Sequence, residues 1–136
     1  MSYVEIAIKH SINYDEKTLA HAMRVAAYAT ECPLLVEEDR DYAIALAILH
    51  DLIEDTDVKL ETIQIDLREG LTYLTKEKNE TYVNYCKRVK GCASSGWRGR
   101  CAYIVKLADM KDHLSLKETL TDKLKAKYLE GLAVLL

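Results

Sequence analysis

Apolar residues recur with helical spacing along most of the chain. Residues 15–31 carry Leu19, Met23, Val25, Ala26 and Ala27 in a helical pattern that Pro33 stops. A second helix is predicted over residues 37–53. Its stretch from Ala43 to Leu49 is apolar on every face, as in a helix at the middle of a bundle. Asp57 is placed to cap a third helix over residues 60–69, which Gly70 ends. A fourth covers residues 81–90, residues 91–99 read as a loop, and two more run over residues 100–112 and from 116 to the C-terminus. Alternating stretches and Asn-Gly or Asp-Gly hairpin turns are lacking. The expected fold is therefore all-α: one compact bundle of about five to seven helices spanning residues 1–136. A single proline and five glycines leave no linker or repeat.

Composition adds exclusions. With 49% hydrophobic and 30% charged residues the chain is globular rather than disordered. A net charge of -3 gives no footprint for a nucleic-acid duplex. An acidic protein with an anionic substrate needs a local positive charge, which a bound cation supplies. The longest apolar run, Tyr42 to Leu49, is far short of the roughly 20 residues of a membrane span. Glu5 and Lys9 interrupt any signal-like pattern, and a cytoplasmic location is expected. Cys32, Cys86, Cys92 and Cys101 form no CxxC pair and read as buried small residues or surface thiols.

The candidate chemistry starts where the second helix ends. His50 and Asp51 follow its apolar run, and Glu54 and Asp55 come one turn later. So many acids at a helix C-terminus oppose the helix dipole unless a cation is bound there. His21 lies within an otherwise apolar helix, on one face with Val25 and Tyr28. Asp109 follows Val105-Lys106-Leu107-Ala108, and a buried carboxylate at that position needs a partner. Imidazole nitrogens with carboxylate oxygens suit a divalent ion such as zinc, manganese or iron.

The order His21…His50-Asp51…Asp109 resembles the H…HD…D pattern of the HD-domain metal-dependent phosphohydrolases. Leu49-His50-Asp51-Leu52-Ile53-Glu54-Asp55-Thr56-Asp57 is similar to the LHDxxEDT signature of the hydrolase domain of RelA/SpoT-type (p)ppGpp enzymes. Val105-Lys106-Leu107-Ala108-Asp109 resembles their VKLAD segment, and His21-Ala22-Met23-Arg24-Val25-Ala26 their HxxxVA segment. Leu74-Thr75, Glu80-Thr81-Tyr82 and Tyr85 to Val89 look like a motif of small stand-alone members.

The resemblance implies one divalent ion held by His21, His50, Asp51 and Asp109. Manganese is the first expectation, with zinc, iron, nickel or cobalt as alternatives. Glu54 and Asp55 are the expected catalytic pair, positioning or deprotonating water. Lys106, His113 and Arg24 are the expected substrate-binding residues, with Lys87-Arg88-Lys90 and Arg98-Arg100 as further basic groups. Two departures stand out. His113 occupies the place of the asparagine that usually helps bind the nucleotide, and the TPYxxHP approach to the first histidine is missing. Metal and water chemistry carry over; guanosine specificity does not. The expected partner is a small phosphorylated substrate, such as a nucleotide with a (p)ppGpp-like 3′-pyrophosphate. A nucleotide monophosphatase and a non-catalytic nucleotide-binding module remain as alternatives.

Overall fold

The computed structural model describes residues 2–136. Its helices are α1 (Tyr3–Ser11), α2 (Glu16–Glu31), α3 (Arg40–Leu49), the single turn α4 (Leu52–Asp55), α5 (Ile65–Leu74), α6 (Tyr82–Cys92), α7 (Gly96–Ser115) and α8 (Asp122–Leu135). No strand occurs among the described residues. Short polar side chains open four of the helices by accepting a backbone N–H three residues on: Ser2 for α1, Asp15 for α2, Thr81 for α6 and Thr121 for α8. No helix is long and apolar enough to cross a membrane. The four cysteines are free thiols, three of them buried.

The bundle is arranged around α3. Its Ala43, Ala45, Leu46, Ala47 and Leu49 are fully buried, and the alanines let α1, α2, α5 and α7 approach closely. The larger hydrophobic cluster forms there. A smaller one lies between α6, α7 and α8 and is built on Tyr85, Cys86, Val89, Met110 and Leu135. The 20-residue α7 serves both.

Several boundaries differ from the sequence-based expectation, each for a local reason. The second helix does not run unbroken through residue 53; it stops at Leu49. The Tyr14 hydroxyl donates to the Ile48 carbonyl at 2.6 Å and the His50 Nδ1–H to the Ala47 carbonyl at 2.6 Å. Those are carbonyls that a continuing helix offers to N–H groups four residues on. Gly70 does not end the third helix but lies inside α5, where an added Cβ would be 2.8 Å from Leu46 Cδ1. That helix begins at Ile65, and Asp57 does not cap it. In place of a loop over residues 91–99, only residues 93–95 join α6 to α7, with Gly96 at φ 84° making the turn. The last helix begins at Asp122, after a turn at residues 116–121. The first helix was not expected. Only Ala7 and Ser11 of α1 are buried, and Asp41 anchors its start by accepting the N–H groups of Tyr3 and Val4.

Candidate metal centre

Helices α2, α3 and α7 bring His21, His50, Asp51 and Asp109 together. His21 Nε2 is 2.9 Å and His50 Nε2 3.2 Å from Asp109 Oδ1; Asp51 Oδ2 is 3.2 Å from His50 Nε2 and 3.5 Å from His21 Nε2. Ligand atoms of His21, His50 and Asp51, and likewise of His21, Asp109 and His113, lie within 4.8 Å of one another, sets that can hold one ion.

Hydrogen-bond roles show why a cation belongs there. His50 Nδ1 faces the Ala47 carbonyl and His21 Nδ1 faces Asp112 Oδ2, both at 2.6 Å, acceptors that the Nδ1–H tautomer of each ring serves. In a neutral ring Nε2 is then a bare lone pair, and both Nε2 atoms point at carboxylate oxygen. Only a positive charge between them, proton or metal, makes that contact favourable. Donation from Nδ1 to a carboxylate or carbonyl is also what orients a metal-binding histidine.

The ionisation tendencies agree. Burial opposes protonation of His21 and His50, yet the surrounding carboxylates raise both pKa values, that of His50 far above the usual histidine range. Burial would push Asp109 up, but the Lys106 ammonium and the three neighbouring imidazoles hold it well below the usual carboxylate range. Asp51 is lowered against burial chiefly by His50.

The fully buried Asp112 was missed by sequence reasoning. Its carboxylate accepts from His21 on one side and from Arg24 on the other, Nε to Oδ1 at 2.7 Å and Nη2 to Oδ2 at 3.1 Å. A signal existed. Asp112 lies three residues beyond Asp109, and Arg24 three beyond His21, so each shares a helix face with a ligand candidate. Arg24 is therefore engaged in holding Asp112. Lys106 is also engaged: its buried Nζ is 2.9 Å from Asp109 Oδ2 and faces the rings of Tyr82 and Tyr85.

His50, Asp51 and Asp109 form the floor of a cleft of about 190 Å³ whose walls include Glu54, Lys76, Tyr82, His113, Lys127 and Tyr128. Burial, then the charges of Asp51 and Asp55, raise the pKa of Glu54. Asp55 lines a neighbouring groove with Asn13 and Asp57, close enough for the Asp51 charge to add to burial in raising its own pKa. His113 Nε2 is 3.1 Å from Asp109 Oδ1, and its ring stacks on Tyr128 at 4.6 Å. These two rings stand between the lysine-bearing cleft and a second one of about 220 Å³ with Leu116, Leu120 and Leu124 in its wall. Lys76, Lys127 and Tyr128 were not anticipated. The basic groups that sequence reasoning considered are placed elsewhere: Arg88 pairs with Glu80, Arg98 with Asp66 and Arg100 with Asp39, and no member of either group lines the cleft.

A helical bundle with histidines and aspartates converging beneath a cation-bearing cleft has the construction of a metal-dependent hydrolase. Residues 18–113 match the HD domain family, and the chain belongs to it, within a superfamily of metal-dependent phosphohydrolases. No curated protein matches the chain.

Proposed function

We propose that this protein is a metal-dependent phosphohydrolase acting on a small phosphorylated compound, with a (p)ppGpp-like 3′-pyrophosphate of a nucleotide as the favoured substrate. The observation that carries the reading is the convergence of His21, His50, Asp51 and Asp109, the last three at the floor of a cleft bearing Lys76 and Lys127. The donors fit a divalent transition ion: two imidazole nitrogens oriented by their Nδ1–H bonds and two carboxylates, a set that suits Mn2+, Fe2+, Co2+, Ni2+ or Zn2+. Such an ion supplies Lewis acidity toward a phosphoryl oxygen and lowers the pKa of water beside it.

The remaining tasks fall to the chain's own groups. Glu54 opens onto the same cleft with a raised pKa, suited to taking a proton from water and returning it to the leaving group. Asp55 sits beside it and adds negative charge that favours the protonated form of Glu54. Lys76 and Lys127 offer mobile point charges to phosphate oxygens. Lys106, which also lines the cleft, and Arg24, both expected to meet substrate, hold Asp109 and Asp112 in place. His113 stands between the lysine-bearing cleft and the leucine-lined one, an arrangement that suits phosphates on one side and a nucleoside on the other. Support for the 3′-pyrophosphate comes from the HDxxED and VKLAD resemblance.

Manganese-loaded protein assayed against (p)ppGpp, nucleoside monophosphates and a simple phosphomonoester tests the reading. Pyrophosphate release from (p)ppGpp is expected. Phosphate release from monophosphates alone assigns the protein to nucleotide monophosphatases. Metal-dependent binding of nucleotides without turnover makes it a binding module and overturns the enzymatic reading.

A further inference from the structure

A third imidazole, that of His113, joins His21 and His50 around Asp109. Asp109 Oδ1 has three imidazole nitrogens around it: His21 Nε2 at 2.9 Å, His113 Nε2 at 3.1 Å and His50 Nε2 at 3.2 Å. One carboxylate oxygen has about two lone-pair sites, and the other oxygen, Oδ2, already faces Lys106 Nζ at 2.9 Å. Three nitrogens on one such oxygen exceed what hydrogen bonding alone accounts for. Ligand atoms about 2.1 Å from a common ion and at right angles stand about 3 Å apart. The three separations above have that value, and the contacts of Asp51 with His50 and His21, at 3.2 and 3.5 Å, are close to it.

The third imidazole is also held in place. His113 lies one turn beyond Asp109 on α7, and its ring is packed between His21, 4.7 Å away, and Tyr128, 4.6 Å away and nearly parallel at 13°. Stacked on Tyr128 in this way, the ring keeps Nε2 directed at Asp109 Oδ1, 3.1 Å away.

We propose that His113 is a fifth protein ligand, binding through Nε2 and completing the set His21, His50, Asp51 and Asp109. The proposal rests on the metal-dependent reading above and deepens it. A six-coordinate ion held by five side chains keeps one exchangeable position instead of two. Holding the substrate phosphate then falls chiefly to Lys76 and Lys127. A third imidazole also makes the donor set richer in nitrogen, which favours Co2+, Ni2+ or Zn2+ over Mn2+.

The test uses two substitutions in the full chain. His113→Phe keeps an aromatic ring between His21 and Tyr128 without a donor atom, and His113→Asn installs the residue usual in RelA/SpoT-type enzymes. Calorimetric titration of chelator-treated protein is expected to show Co2+ affinity falling ~100-fold in both variants, at or beyond the upper end of what loss of a merely supporting residue causes. Mn2+ affinity should fall less. Proton NMR of the Co2+-loaded parent should show contact-shifted resonances from three imidazole rings, and from two in either variant. Parental Co2+ affinity in both variants, or only two shifted rings in the parent, overturns the fifth ligand and leaves the hydrolase reading standing. A parent that takes up no ion overturns both.

Discussion

The two hydrophobic clusters differ in their materials and in what they hold. The larger one packs buried alanines of α2, α3 and α7 together, so His21, His50 and Asp109 project from closely seated helices. The smaller one, between α6, α7 and α8, is made with tyrosines: Tyr85 is buried, and Tyr82, Tyr103 and Tyr128 pack against it. Tyrosine fills space but leaves a ring face or hydroxyl for a polar neighbour. Here the rings of Tyr82 and Tyr128 face Lys127, and Tyr128 also stacks on His113. Close helix packing therefore provides a rigid floor for an ion, and the tyrosine-rich side provides a cleft wall whose charged groups can adjust to a substrate.

The largest expected effect tests the floor. Asp109→Asn removes the charge on which Lys106 and three imidazoles converge. Metal analysis should find no bound ion, and denaturant unfolding should show a loss of about 3–5 kcal/mol, because Lys106 becomes a buried charge without its partner. Stoichiometric metal in this variant would mean that the floor does not depend on Asp109.

Next come Glu54 and Asp55, the proposed proton-transfer residues. Glu54→Gln and Asp55→Asn should retain full metal content while turnover falls roughly 10²-fold, the scale of a lost general acid or base. Loss of metal in either variant would move that residue from catalysis to the ligand set.

Gly131→Ala separates wall from floor. A Cβ there would lie 2.7 Å from Tyr82 Cε2 and 2.9 Å from Cys86 Sγ, so α8 must shift, at about 1–3 kcal/mol of stability. KM should rise by more than metal affinity falls, because α8 reaches the ion only through the Tyr128–His113 stack; equal losses of both would show the two regions to be one mechanical unit.

The pH dependence of chelated protein sharpens the same contrast. Because the folded-state pKa values of His21 and His50 are raised, their protonation stabilises the fold fully below about pH 6.5. That contribution is lost as pH rises through the raised values. Thermal midpoints of chelated protein should therefore fall from pH 6 toward pH 9, and restoring a divalent ion should reverse the fall with release of protons. A midpoint that is flat over this range contradicts a proton standing in for the ion.

The smallest effect belongs to Lys127→Ala. Lys127 is exposed on α8, so the thermal midpoint should stay at the parental value while KM for a phosphorylated substrate rises up to about fivefold, the loss of one exposed charge contact. Unchanged KM would remove Lys127 from substrate binding.

Much of this was readable locally. The helical class, the central apolar helix and the Asp15 and Thr81 helix starts follow from residues within a turn of one another. The same is true of His50-Asp51 at a helix end. The short α1 was not legible, because its apolar face is narrow and its anchor, Asp41, is 38 residues from Tyr3. For Lys106, expected to meet substrate, the i+3 relation to Asp109 is visible in the sequence, but its burial beside that carboxylate is not.

The sequence by itself determined which groups were available and on which helix faces they stand, because helical periodicity and capping depend on neighbours about four residues away. Tertiary structure alone decided how those groups meet. Asp112 supports His21 across 91 residues, Tyr14 helps end α3 across 34, and Tyr128 on α8 fixes the ring of His113 on α7. An ion site needs donor atoms placed to within fractions of an ångström, and that placement comes from how closely and at what angle the helices pack. Buried alanines and close-fitting glycines set both, and spacing along the chain does not encode them.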